Sequence, residues 1–126
     1  MESEVRFDPA RSRLHVTVRG RLAIQDILAQ GPDFLREHSL GDRLEMLLDY
    51  RGAEVGDISI DDVQSIVDQD EQIWVGLESL RCAIVADGDA TFGMARMFAT
   101  LSDRPGVEVA VFREMEEAEH WLDGAP

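Results

Sequence analysis

Residues 81–112 read RCAIVADGDATFGMARMFATLSDRPGVEVAVF, and this stretch sets the architecture. Arg81 to Ala86 is a short, mostly apolar run that closes on the turn Asp87-Gly88-Asp89. Ala90 to Ser102 then brings Met94, Met97, Phe98 and Leu101 onto one helical face, and Arg104-Pro105-Gly106 stops that helix. Val107 to Phe112 is a second extended run. A strand, a helix and a strand in this order form a unit that joins two parallel neighbours in one sheet.

Working outward, the same alternation continues on both sides. Downstream, Met115 to Leu122 predicts a last helix. Upstream, Leu44 to Asp49 predicts a strand, Tyr50 to Ile58 a loop, and Ser59 the N-cap of a helix that carries Asp61 and Asp62 in its first turn. Val63, Ile66, Val67, Asp70, Trp74 and Leu77 share one face of that helix, with Asp70 expected at an edge reaching solvent. Further back, Ile24, Ile27, Leu28, Gly31, Leu35 and His38 keep helical phase across Pro32, which predicts one kinked helix and not two. The chain opens with Val5 to Asp8 and Leu14 to Arg19, an expected antiparallel pair turned at Pro9 and Ala10 and ended by Gly20.

The expected fold is therefore α/β, a single domain over residues 1–126 with a five-stranded, mostly parallel sheet in the order 1-2-3-4-5 and an antiparallel first hairpin. Alternation along the strands separates two sets of residues. Leu14, Val16, Val18, Leu44, Met46, Leu48, Cys82, Ile84, Ala86, Val107, Val109 and Val111 form a wholly apolar set. Right-handed crossovers stepping one way then place all four helices on that face. The opposite set is charged at its flanks and apolar at Leu47, Ala83, Val85, Ala110 and Phe112. Left uncovered, those five residues would be an exposed patch of a kind monomers avoid, so they are the expected face of a homodimer.

Composition excludes several chemistries. With 26 acidic against 12 basic residues the formal charge is -14, which repels nucleic acid and anionic lipid. All the basic residues are arginines, so no P-loop or Schiff-base lysine exists. No apolar run approaches the ~18 residues of a membrane helix, so no membrane insertion is expected. The opening MESEVRFDPARSRLHV lacks a basic start with an apolar run behind it, which predicts no signal peptide and a cytoplasmic location. The lone Cys82 agrees with that and reads as a small core residue. His15, His38 and His120 fall on different elements without zinc spacing.

The loops after the strands must gather at one rim, where open α/β sheets bind ligands. Arg19, Arg21, Asp49, Arg51, Asp87, Asp89, Thr91, Arg113 and Glu114 fall there, with Arg21, Asp49, Arg51, Asp87, Asp89 and Arg113 the candidate rim site. The three aspartates match in type an acidic cluster that holds magnesium, but interleaved arginines favour a solvated, partly ion-paired rim without a cofactor. Met94 and Met97 with Phe92 and Phe98 read as core packing, with a cavity for an apolar ligand as the alternative.

Taken together, RLHVTVRG in the first hairpin, the proline-centred helix, LLDYRG, RCAIVADG, FGMARMF and the ending VFREMEEAEHWL resemble the SpoIIAA-like family, within the STAS and Sec14-like grouping, over nearly the whole chain. The resemblance implies a domain of five strands and four helices that binds partners and does not catalyse. Antagonists of anti-sigma factors in the STAS group carry D-S-S-G at the second helix, with the second serine phosphorylated. Here the segment is Asp57-Ile58-Ser59-Ile60, which keeps the aspartate and the second serine. Ser59 is thus the candidate N-cap or phosphoacceptor, and capping is the expected role because Asp57, Asp61 and Asp62 would repel a phosphate. The function expected is a non-catalytic regulatory or scaffolding module for a protein partner. A Sec14-like binder of a small apolar ligand or lipid is the alternative, and an enzyme built on rim carboxylates and arginines comes last.

Overall fold

β1 (Glu2–Asp8), β2 (Arg13–Leu22), α1 (Ile24–Glu37), β3 (Arg43–Val55), α2 (Ile60–Ile73), β4 (Ser79–Val85), α3 (Asp89–Leu101), β5 (Val107–Phe112) and α4 (Met115–Leu122) follow the order the sequence predicts. The structure, a computed structural model, describes residues 1–37 and 42–124, the side chains of 31–37 excepted. The sheet order is β1-β2-β3-β4-β5; β1 pairs antiparallel with β2 and every later pair is parallel. α1 runs through Pro32 as one helix. His38, the end of its expected stripe, lies outside the described residues.

The hairpin is tighter in pattern but longer in reach than expected. Asp8 Oδ1 accepts from the Ala10 N–H at 3.0 Å, an Asx turn that lets β1 and β2 register over seven pairs. β2 also continues past Gly20, whose φ of +87° suits glycine. Where a loop from Tyr50 was expected, β3 instead extends to Val55 and pairs with this arm, Arg19 to Leu22 lying beside Gly52 to Val55. Between Thr17 and Arg19 the register slips, so β3 carries one extra residue there. That bulge shifts the alternation and turns Ala53 toward the core after Tyr50. The sequence hid this strand because a bulge breaks the two-residue period by which strands are recognised.

The expected apolar set does form the main core. Leu14, Val16, Val18, Leu44 and Ile84 are all at most 3% exposed; Trp74 at the C-cap of α2 and Ala95 of α3 pack in the same cluster, and the buried Val63 and Val67 of α2 face it across a small space. Fully burying a leucine or valine contributes about 1.5–3 kcal/mol. Ile27 of α1 packs on the same cluster.

The expectation that all four helices share one face is corrected at α4. Leu47, Ala83 and Val85 are buried at 2% or less in a second cluster with Ala118 and Leu122 of α4, flanked by Phe112, Met115 and Trp121. Since neighbouring strand residues point to opposite faces, α4 lies across the sheet from α1, α2 and α3. The handedness rule governs crossovers between two strands, and α4 joins none. It is free to take whichever face still needs cover, and Met115, Ala118, Trp121 and Leu122 supply the matching stripe. The proposed self-association face is therefore not an open patch: Leu47, Ala83 and Val85 lie beneath α4, and Ala110 and Phe112 are half-buried beside it.

Arginines fasten this helix. Arg13, 5% exposed, reaches Asp123 Oδ1 at 2.8 Å and Glu45 Oε1 at 3.2 Å. Arg81 donates to the Leu122 carbonyl at 3.2 Å and stacks 4.2 Å from the Trp121 ring centre, while Phe112 and Trp121 meet at 5.8 Å. We expect Leu122→Ala to lower the unfolding free energy by about 2–4 kcal/mol in urea titrations. A loss of only ~0.5 kcal/mol, the level of an ordinary surface substitution, would mean that α4 does not pack as described.

Candidate functional site

Between the main sheet face and its helices lies a cavity of about 110 Å³. Its walls come from Val63, Ile66, Val67 and Trp74 of α2 and from Met94, Ala95 and Phe98 of α3, with Met46, Leu48, Cys82 and Ile84 as the floor. Small side chains at Cys82 and Ala95 leave the space. Of the four residues expected to line an apolar cavity, Met94 and Phe98 do so. Phe92 instead stacks under Arg113 at 4.0 Å, and neither Phe92 nor Met97 borders the space.

Polar groups also border it. Asp70 is half-buried, keeping the edge position that its place on the stripe predicts. It borders the cavity, and burial pushes its carboxyl from an ordinary 3.8 up to about 7, a rise opposed by the positive charge of Arg104. Its side chain makes no hydrogen bond among the described residues. Gln30 of α1 borders the same space, and its buried Nε2 finds no partner among them either. Burial also pushes the Tyr50 hydroxyl and the Cys82 thiol up, so both stay protonated near neutral pH. For Cys82 this matches a core residue and not a nucleophile. A buried polar group without a partner is costly, and the Gln30 amide at this border marks a place where a ligand could restore a lost hydrogen bond.

The rim candidates divide. Asp49 and Arg51, two residues apart on one face of β3, form a bidentate pair with both contacts at 2.9 Å. Hydrogen bonding to Arg51 holds the Asp49 carboxyl below the usual carboxylate range despite its partial burial. Arg113 donates to Asp89 Oδ1 at 2.9 Å and to the Asp87 carbonyl at 3.0 Å. Arg51 feels Asp87 and Glu114, so these groups do share one rim. Thr91 is buried and donates to the Ala53 carbonyl at 3.3 Å, tying α3 to the β3 extension. Arg19 and Arg21 sit on the paired arm of β2, not in a loop, and Arg21 makes no ion pair among the described residues. Among those residues no three His, Cys, Asp or Glu side chains gather closely enough to hold a metal ion. The rim's charges are largely engaged with one another.

Ser59 is an N-cap. Its Oγ accepts from the Asp62 N–H at 3.1 Å while Asp62 Oδ2 accepts from the Ser59 N–H at 3.0 Å, a reciprocal capping box. Sequence reasoning had the serine but not its partner, although the serine-to-acid spacing of three is the signal for it.

Sheet order, the antiparallel opening pair and the four helices define a SpoIIAA-like fold. The chain is similar, at a TM-score of 0.62 and 14% identity, to an uncharacterized protein of the DUF3478 family with a SpoIIAA-like fold from Shewanella loihica PV-4, over 95% of this chain and 93% of that one. It is also similar to the anti-sigma factor antagonist SpoIIAA in its unphosphorylated form, at a TM-score of 0.52 and 12% identity, over 98% and 99% of the two chains. No protein-family model matches the chain, and no curated protein matches it in sequence. Among the described residues no helix is long and apolar enough to cross a membrane.

Two measurements check this geometry. The folded state holds a proton on Asp70 that the unfolded chain releases, so Asp70 lowers stability progressively as pH rises from about 4 to about 7. Asp70→Asn should leave stability near pH 4 little changed and raise it at pH 8 by an amount on the order of 2–4 kcal/mol; equal stability of the two proteins at pH 8 would place Asp70 in solvent. Ser59→Ala should cost ~1 kcal/mol by loss of the cap, read by thermal or urea unfolding. A neutral result there would remove the capping box from the energetics.

Proposed function

We propose that the chain is a non-catalytic binding module that holds a small, largely apolar molecule between the sheet and helices α2 and α3. The cavity carries this reading: an apolar space of about 110 Å³ bordered by the Gln30 amide, unpartnered among the described residues, and by the half-buried Asp70 carboxyl is more than a packing defect. An engineered cavity of roughly 150 Å³ accepts benzene, so the enclosed part of an occupant here has about four or five non-hydrogen atoms. A full-length lipid chain does not fit that volume, which turns the Sec14-like alternative toward something far smaller. A second reading, docking of a protein partner, draws support from Ile60. That side chain is 65% exposed beside the Ser59 cap at the start of α2. The fold likeness to an anti-sigma factor antagonist points the same way. The two are compatible, since a ligand between α2 and the sheet sits directly beneath the helix that carries Ile60.

Amide NMR spectra recorded during titration with benzene or 3-methylbutan-1-ol test the cavity. Saturable shifts along α2 and α3 are expected, and Ala95→Leu, which fills the space from α3, should abolish them while keeping the protein folded. Shifts that never saturate, or that persist in folded Ala95→Leu, would overturn the reading.

A further inference from the structure

Which small molecule fits is written in the charges around the cavity. Asp70, Glu71 and Arg104 are the formally charged side chains at its border, and Tyr50 and Cys82 are its other titratable groups. Glu71 and Arg104 pair with each other at 3.8 Å. Tyr50 and Cys82 remain neutral because burial disfavours their anions. α1 contributes Ile27 and Gln30, and the cavity-lining residues of α3 and β5 carry no charge. Asp70 therefore has no direct ion pair or hydrogen bond among the described residues, only the more distant charge of Arg104, and it stands at the edge of an apolar space. Gln30 stands there too, its Nε2 without a partner among the described residues, and a flip of the amide would turn its oxygen toward a donor.

Resting on the reading of the cavity as a ligand site, we propose that its occupant is a small primary alkylammonium whose charged head seats against the Asp70 carboxylate, with Gln30 as a second acceptor and the branched alkyl body filling the space lined by Val67, Met94 and Phe98. A charge-assisted contact in a partly dry site is the strongest interaction a molecule of this size can make. It also gives the half-buried Asp70 carboxylate a close cationic partner, where Arg104 acts only at longer range. An anionic head would face Asp70 and Glu71 and is excluded, and a neutral alcohol gains only an ordinary hydrogen bond. The formal charge of -14 favours the encounter with cations as well.

Three probes with one alkyl body separate these cases: 3-methylbutylamine, 3-methylbutan-1-ol and 3-methylbutanoate, titrated into the full chain by NMR at pH 8. The amine should bind about tenfold more tightly than the alcohol, and the carboxylate should not saturate. In Asp70→Asn, which keeps the shape, the amine's advantage should shrink to about twofold while the alcohol binds as before. At pH 5.5, where Asp70 carries its proton, the wild-type preference should fall likewise. Equal affinity for amine and alcohol in the wild type would overturn the proposal, as would a preference that survives Asp70→Asn. In either case alcohol binding leaves the cavity reading standing. Failure of all three probes to saturate would remove both.

Discussion

The burial of β4 on both of its faces is the constraint that organises the molecule. Cys82, Ala83, Ile84 and Val85 are each at most 4% exposed, so successive side chains of one strand must find apolar cover on opposite sides of the sheet. Three helices supply it on one side because each is the crossover between two strands and has no other choice. On the remaining side cover comes from α4, whose apolar positions repeat at the spacing needed to meet Leu47, Ala83 and Val85. Arg13 and Arg81 then convert a short helix into a fixed one by engaging Asp123, the Leu122 carbonyl and the Trp121 ring.

The same constraint separates the two regions that looked functional in the sequence. At the rim, charge meets charge: Asp49 with Arg51 and Asp89 with Arg113 satisfy one another and leave little that asks for a ligand. Under α2 and α3 the balance is reversed. Apolar walls surround a Gln30 amide nitrogen without a partner among the described residues and a half-buried Asp70 whose carboxyl is pushed up by desolvation.

Element order, sheet order and the main core were legible because local periodicity and the alternation of strands with helices are strong, short-range signals. Residues Val107 to Phe112 and Met115 to Leu122 fell where expected to the residue. What the sequence concealed was of three physical kinds. The β3 extension was hidden by a bulge, which breaks alternation at the point where it would have been read. The face taken by α4 is not legible from the handedness rule, which governs crossovers between two strands; the need of Leu47, Ala83 and Val85 for cover is the signal that places it. Asp70 was placed on the correct stripe of α2, but a stripe gives direction and not depth, and the cavity beside it depends on how far α2 and α3 stand from the sheet.

Topology gives α4 a standing unlike that of the other described helices. α1, α2 and α3 are each held at both ends by paired strands, so none can move away without disturbing the sheet. α4 is tethered to β5 only through Arg113 and Glu114. Its hold on the sheet therefore rests on side-chain contacts rather than on strand pairing, and their loss would bare Leu47, Ala83 and Val85 while every strand pair kept its register.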